Sequence, residues 1–133
     1  MDLEQLRVLA TDGVVVTDHE VVLMQRDHDP YEGRWVLPGG VVERGETARR
    51  ACEREVEEEV GLEVTASELI GLYDEPGRDP RGNVSVAFRC HPDRDSELEP
   101  LEEARAVDTF DPDDLPATGF DHGRIVADAF APE

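Results

Sequence analysis

Glu55, Glu58 and Glu59 stand three and four residues apart in the run Arg54-Glu55-Val56-Glu57-Glu58-Glu59. Carboxylates at that spacing share one face if the run is helical. On a helix over Thr47 to Val60 turning about 100° per residue, with Glu55 at zero, they fall near about 0°, −60° and 40°. Ala48, Ala51, Cys52 and Val56 fall at about 20°, −40°, 60° and 100°, so the three acids continue the apolar stripe instead of opposing it. Arg49, Arg50, Glu53 and Glu57 lie on the far side and read as the solvated face. Glutamates on a helix are ordinarily surface charge, and Glu fills 18 of the 133 positions here. The phase argues against that reading, because inward carboxylates are costly unless they are paired or bound to metal. A hard divalent cation such as Mg²⁺ takes a few carboxylate oxygens plus substrate phosphates, and Mn²⁺ accepts the same donors.

Around this run, Gly40, Glu46, Arg54, Glu55, Val56, Glu58, Glu59, Gly61 and Leu62 match every defined position of the Nudix box, so residues 40–62 resemble the signature of that family. The resemblance implies an α/β/α sandwich with a mixed β-sheet. It also implies a loop–helix–loop that binds divalent metal and hydrolyses a nucleoside diphosphate linked to another group. By the same resemblance Glu55, Glu58 and Glu59 are metal ligands, Arg54 orients a catalytic carboxylate, and a carbonyl of Gly39 or Gly40 completes the metal site. Glu46 opens the helix, where negative charge suits the dipole. Simple capping and direct catalysis both remain open for it.

The elements that must position this helix are legible on either side. Val8 to Thr17 and Val21 to Gln25 are β-rich runs joined by a polar turn at Asp18, His19 and Glu20. Their valines are continuous, not alternating, which suits strands covered on both faces. Trp35-Val36-Leu37-Pro38-Gly39-Gly40 leads into the helix, with Pro38 and two glycines allowing close backbone approach to the site. Trp35 reads as a core anchor ahead of a base-stacking residue. Gly61 is the expected C-cap, followed by strand-forming sequence from Leu62 to Tyr73 with a polar interruption at Ser67 and Glu68. Asn83 to Cys90 and Ala104 to Phe110 read as further strands, and His91 to Pro100 as an exposed loop. Asp111 to Pro116 predicts a short helical turn, and Phe120 to Phe130 a terminal helix covering the sheet.

Between two of those strands, Asp74 to Gly82 is a turn-rich loop carrying Arg78 and Arg81. Such arginines either recognise phosphate through their planar donors or pair with neighbouring acids. Gly77-Arg78-Asp79-Pro80-Arg81-Gly82, Val84 to Phe88, Leu115-Pro116 and Phe120-Asp121-His122 resemble the ADP-ribose pyrophosphatase-like subgroup. That likeness implies that Arg78 and Arg81 bind substrate, and that the products from ADP-ribose are AMP and ribose 5-phosphate. The family resemblance adds a late-loop carboxylate, Glu103 or else Glu102, as a catalytic candidate, while solvated surface is the plain reading of each. His122 is a structural residue at a helix start or a substrate contact.

Composition bounds the rest. A chain of 133 residues predicts one domain, residues 1–133. Its formal net charge is −20, and all 13 basic residues are arginine. So high a charge destabilises a compact state unless salt screens it, and the acidic, lysine-free composition resembles that of extreme halophiles. The acids run the whole length, from Asp2 to Glu133, which favours adaptation to solvent over a surface for one basic partner. Nucleic acid polymers are excluded as partners by charge, whereas a single nucleotide can bind where metal and local arginines cancel its phosphates. Cys52 and Cys90 read as small buried hydrophobes in a reducing compartment. No signal peptide and no membrane span are expected, which predicts a cytoplasmic protein. A homodimer is expected from the family resemblance. Two other functions use the same box: a pyrophosphatase for damaged nucleoside triphosphates, and a nucleotide sensor that cleaves nothing. The second ordinarily adds a DNA-binding domain, and the intact acidic triad weakens it.

Overall fold

Two hydrophobic layers organise the molecule, and the continuous valine runs of the first hairpin divide between them. In the computed structural model, which describes residues 1–94 and 104–132, β1 spans Leu9–Thr17 and β2 spans Glu20–Arg26. Asp18 and His19 both take left-handed backbone angles in the two-residue turn that joins them, the geometry that matches strand twist. Val15, Val22 and Met24 face one layer, while Val14, Val21 and Leu23 face the other.

The first layer packs against α1, Ala48–Val60, through Cys52, Val56 and Val60, and takes in Phe88 and Cys90. The second packs against α2, His122–Ala129, through Ile125, Val126 and Ala129. Between them lies a mixed sheet in the order β3-β2-β1-β6-β5, with β4 pairing β1 and β7 pairing β2. Here β3 is Trp35–Val36, β4 Gly39–Val41, β5 Val64–Tyr73, β6 Val84–Pro92 and β7 Ala104–Phe110. Only the β1–β6 pairing is parallel among these ladders, and it sets Asp12 beside Ala87 and Thr11 beside Val86. The arrangement is the α/β/α sandwich that the residues predict. No described helix is long and apolar enough to cross a membrane.

Several local expectations are corrected. Asp111 to Pro116 forms a turn, not a helix: the Asp113 and Asp114 amides bond to the Asp111 side chain and carbonyl. The strand β6 continues through His91 and Pro92, which were expected in a loop. β5 accommodates its polar interruption by register shifts between Ala66 and Glu68 and again between Leu69 and Gly71. Arg49 and Glu53 are not simply solvated. Arg49 donates to the carbonyls of Ala66 and Ser67, and Glu53 accepts the Ala66 amide at 2.9 Å, so this face of α1 clasps the start of β5. Cys52 and Cys90 are buried free thiols whose sulfurs lie 3.6 Å apart, and that contact together with burial pushes the Cys90 thiol well above its ordinary pKa.

Candidate active site

The helix that carries the acids is fixed at both ends by its own sequence. Thr47 caps α1 by accepting the Arg50 amide at 3.1 Å, and Gly61 closes it in a left-handed conformation with its N–H on the Glu57 carbonyl. Ala51, Cys52, Val56, Glu59 and Val60 are its buried residues, so the stripe points inward and one carboxylate goes in with it.

Arg54 organises the surrounding acids. It bonds Glu46 through Nε at 3.1 Å and Nη2 at 2.7 Å, and reaches Glu55 at 2.8 Å and Glu58 at 3.3 Å through Nη1. Its Nη2 also meets the Val41 carbonyl at 3.3 Å. Glu46 in turn accepts the Glu43 amide at 2.9 Å. The Arg54 hydrogen bonds, helped by that amide, hold the Glu46 carboxyl down at about 2, and Glu46 pushes the Arg54 guanidinium well above its ordinary value.

The loop before the helix approaches as closely as its glycines allow. β4 lies antiparallel to β1, pairing Gly40 with Thr11 and Gly39 with Asp12. A Cβ on Gly40 would stand 2.5 Å from the Glu55 carboxyl carbon, and one on Gly39 would stand 2.1 Å from the Thr11 carbonyl oxygen. Glu59, only 8% exposed, accepts the Gly39 amide at 2.8 Å. Gly39, Gly40, Glu55, Glu58 and Glu59 all line one cavity of about 320 Å³. Among the described residues no three acidic, histidine or cysteine groups form a ready-made metal cage. These residues nonetheless present an all-oxygen donor set beside a backbone kept clear of side chains, and that chemistry fits a hard divalent cation. Glu102 and Glu103 lie outside the described residues.

The same cavity also carries cations. Arg26, Arg78 and Arg81 line it with His28, Phe120 and His122. Arg81 is half-exposed and grips Asp79 with Nε at 3.1 Å and Nη2 at 3.0 Å, while Arg78 is directed onto Asp121 and the Asn83 carbonyl. Arg26 and Arg81 both lie over the Phe120 ring, 5.4 and 5.3 Å from its centroid. The Phe120 backbone sits at φ 53°, a conformation uncommon for a bulky residue and one that concentrates at functional sites. Arg26 Nη2 is 3.0 Å from His28 Nε2. Since arginine only donates, that nitrogen accepts, and the His28 proton sits on Nδ1, facing Asp27 at 2.8 Å.

Asp12, Arg26, His28 and Asp79 are cavity residues that the sequence did not single out. A signal existed for one of them: Asp12 is the one charged residue within β1, whose valines read as covered on both faces, and a buried charge there needs a reason. Trp35 packs edge-on against Phe110 at 4.9 Å and does not line the cavity.

A family profile described as NUDIX domain matches residues 7–129. The chain is 38% identical over 133 residues to the ADP-ribose pyrophosphatase of Methanocaldococcus jannaschii, covering 96% of this chain and 78% of that protein. Among solved structures, a MutT/nudix family protein from Enterococcus faecalis superposes with a TM-score of 0.81 at 26% identity, over 94% of this chain and 61% of that one. An ADP-ribose pyrophosphatase from Streptococcus suis gives 0.78 at 26% identity, over 96% of this chain and 95% of its own.

Proposed function

The chain belongs to the NUDIX domain family, and we propose that it hydrolyses the diphosphate linkage of ADP-ribose with a divalent metal, Mg²⁺ or Mn²⁺, releasing AMP and ribose 5-phosphate. The observation that carries this reading is one cavity lined both by acids, Glu55, Glu58 and Glu59, and by cations, Arg26, Arg78 and Arg81. A diphosphate needs both: the acids would hold a metal to neutralise its oxygens, and the guanidinium groups orient it. The ADP-ribose pyrophosphatases among its relatives favour that substrate.

In this reading Glu55, Glu58 and Glu59 hold the metal, with a carbonyl of Gly39 or Gly40. Held by these residues, a divalent cation would supply polarisation of a phosphoryl oxygen and a more acidic water. Arg54 fixes the orientation of Glu55 and Glu58, and Glu46 keeps Arg54 in place. One of the cavity carboxylates takes the proton of the water that attacks phosphorus. Arg81 at the mouth, and Arg78 deeper in, meet the phosphates. Residues 1–133 then act as one domain, and the lysine-free charge of −20 supports work in a salt-rich cytoplasm.

The test is a panel of ADP-ribose, dinucleotides and nucleoside triphosphates in concentrated KCl with Mg²⁺. Preferential release of AMP from ADP-ribose is expected. Turnover of triphosphates alone would discard the substrate while keeping the chemistry.

A further inference from the structure

Asp12 and His122, both on the cavity lining, belong to a polar chain that has no assigned part in the proposed chemistry. His122, 4% exposed at the start of α2, accepts the Leu37 amide on Nδ1 at 2.9 Å. A ring nitrogen that accepts carries no proton, so the proton of the neutral imidazole sits on Nε2, which stands 3.4 Å from Asp12 Oδ1. Ser85 donates to Asp12 Oδ2. Burial opposes the Asp12 charge, but His122, Ser85 and the nearby Arg78 outweigh it and hold the carboxyl below its ordinary range. The chain therefore runs from β6 through β1 to the start of α2, and ends on the backbone of the loop that enters the proposed metal site.

That loop is pinned at three consecutive residues. Leu37 N–H goes to His122, the Pro38 carbonyl accepts the Gly13 amide at 2.8 Å, and Gly39 N–H goes to Glu59. Pro38 has no N–H of its own, so Leu37 supplies the nearest amide upstream of Gly39 that can be gripped. Rotation about this segment would swing the Gly39 amide away from Glu59. Asp12 is also the direct cross-strand partner of Gly39, so the acid that holds the imidazole and the strand that holds the glycine are one.

We propose that Asp12 and His122 are positioning residues that set the Leu37–Gly39 backbone and, through the Gly39 amide, the orientation of the Glu59 carboxylate toward the cation. The inference rests on the reading of Glu59 as a metal ligand. Outer groups that orient a ligand typically change metal affinity by roughly 10–100-fold when removed.

The experiment titrates the whole chain with Mn²⁺, following the free-ion electron paramagnetic resonance signal, with thermal unfolding of each variant in the same buffer. His122→Asn places a carbonyl oxygen near the Nδ1 position and keeps an acceptor for Leu37, whereas His122→Gln carries its polar group farther out and abandons it. The expected result is Mn²⁺ affinity close to that of the parent chain for His122→Asn and about tenfold or more weaker for His122→Gln. In turnover, the His122→Gln loss should appear as a higher Mn²⁺ requirement with the substrate KM little changed. Parental affinity in both folded variants, or equal loss in both, overturns the proposal. Should His122→Gln fail to fold, Asp12→Asn decides: it keeps the shape and removes the charge that fixes the imidazole, and unchanged Mn²⁺ affinity there overturns the proposal. Glu59→Gln separates the premises. If it binds Mn²⁺ as the parent does, the reading of the metal site has failed; if it alone loses affinity, only the positioning inference has.

Discussion

Arg78 and Asp121 face each other in a two-point ion pair, Nε to Oδ2 at 2.9 Å and Nη2 to Oδ1 at 2.6 Å, with the arginine side chain only 4% exposed. The pair ties the loop after β5 to the start of α2, and so joins a cavity arginine to the element that carries His122. Burial opposes the Arg78 charge, but the facing acids outweigh it and raise its pKa. Removing one partner of such a pair leaves the other uncompensated, at a cost of roughly 3–5 kcal/mol. Arg78→Met should therefore lower the unfolding free energy by about 3 kcal/mol, the low end because Asp121 keeps some contact with water. Denaturant unfolding in fixed KCl measures it. A midpoint unmoved by the substitution would mean that the pair holds nothing.

Glu59→Gln separates charge from shape. The amide oxygen can still accept the Gly39 N–H, so the loop keeps its anchor while the proposed metal loses a negative ligand. Metal-assisted charge stabilisation is worth several kcal/mol, and each ~1.4 kcal/mol is tenfold in rate. Turnover by Glu59→Gln or Glu55→Gln should fall by about three orders of magnitude, with the parental unfolding transition retained. Full activity in either variant would place the metal site elsewhere.

The acidic helix was legible because its information is local: three glutamates in the phase of Ala51, Cys52 and Val56, a Thr cap and a Gly stop. The valine runs gave the buried hairpin for the same reason. What the sequence left hidden depends on long-range pairing. Asp12 reaches Gly39 only through the β1–β4 ladder, and Ser85 only through the parallel β1–β6 ladder that carries the neighbouring strand residues. Arg49 and Glu53 looked solvated on a helical wheel because a wheel does not contain β5. Arg78 and Arg81 were open between phosphate and acidic partners, and the fold supplies Asp121 and Asp79 at hydrogen-bond distance while leaving both arginines on the cavity wall.

Acid should act through Asp79. Burial opposes its ionisation, but the Arg81 side chain and amide, with the Arg78 charge, outweigh burial and hold the carboxyl below its ordinary value of 3.8. A folded pKa depressed in this way contributes stability that is fully present above the unfolded value and is lost as pH falls through the folded one. Asp79→Asn should thus flatten the decline in stability below about pH 4, while costing stability near neutrality. Unfolding curves collected across that range in constant salt check both halves. An unchanged acid slope in the variant would assign the acid sensitivity to other depressed carboxylates, Asp12 and Glu46 among them.

Salt should stabilise the chain. At a formal charge of −20 the compact state repels itself, and the screening length falls from about 10 Å at 0.1 M to about 3 Å at 1 M. Exposed pairs such as Arg94 with Glu63 lose strength on the same scale, but a surface pair is worth only about 0–1 kcal/mol. Repulsion among the excess acids therefore wins, and the thermal midpoint should climb steadily from dilute to molar KCl. A midpoint that drops over that range would remove the argument for a salt-rich setting.

Gly40 tests how closely the loop and the helix must meet. A methyl group there would stand 2.5 Å from the Glu55 carboxyl carbon, inside any contact that real Cβ atoms make, so the Glu55 side chain must turn away from the loop. Because what gives way is a side chain end, Gly40→Ala should fold, at a cost of about 1–3 kcal/mol, yet bind Mn²⁺ poorly. Gly39→Ala meets backbone instead, the Thr11 carbonyl at 2.1 Å, which can move only by parting β4 from β1. It should unfold at markedly lower denaturant than Gly40→Ala. The two alanines thus predict opposite signatures, a folded chain with weakened metal binding against a destabilised one, and Mn²⁺ titration beside denaturant unfolding reads the difference. Equal stability in both would mean that the Gly39–Asp12 ladder yields more easily than the packing around Glu55.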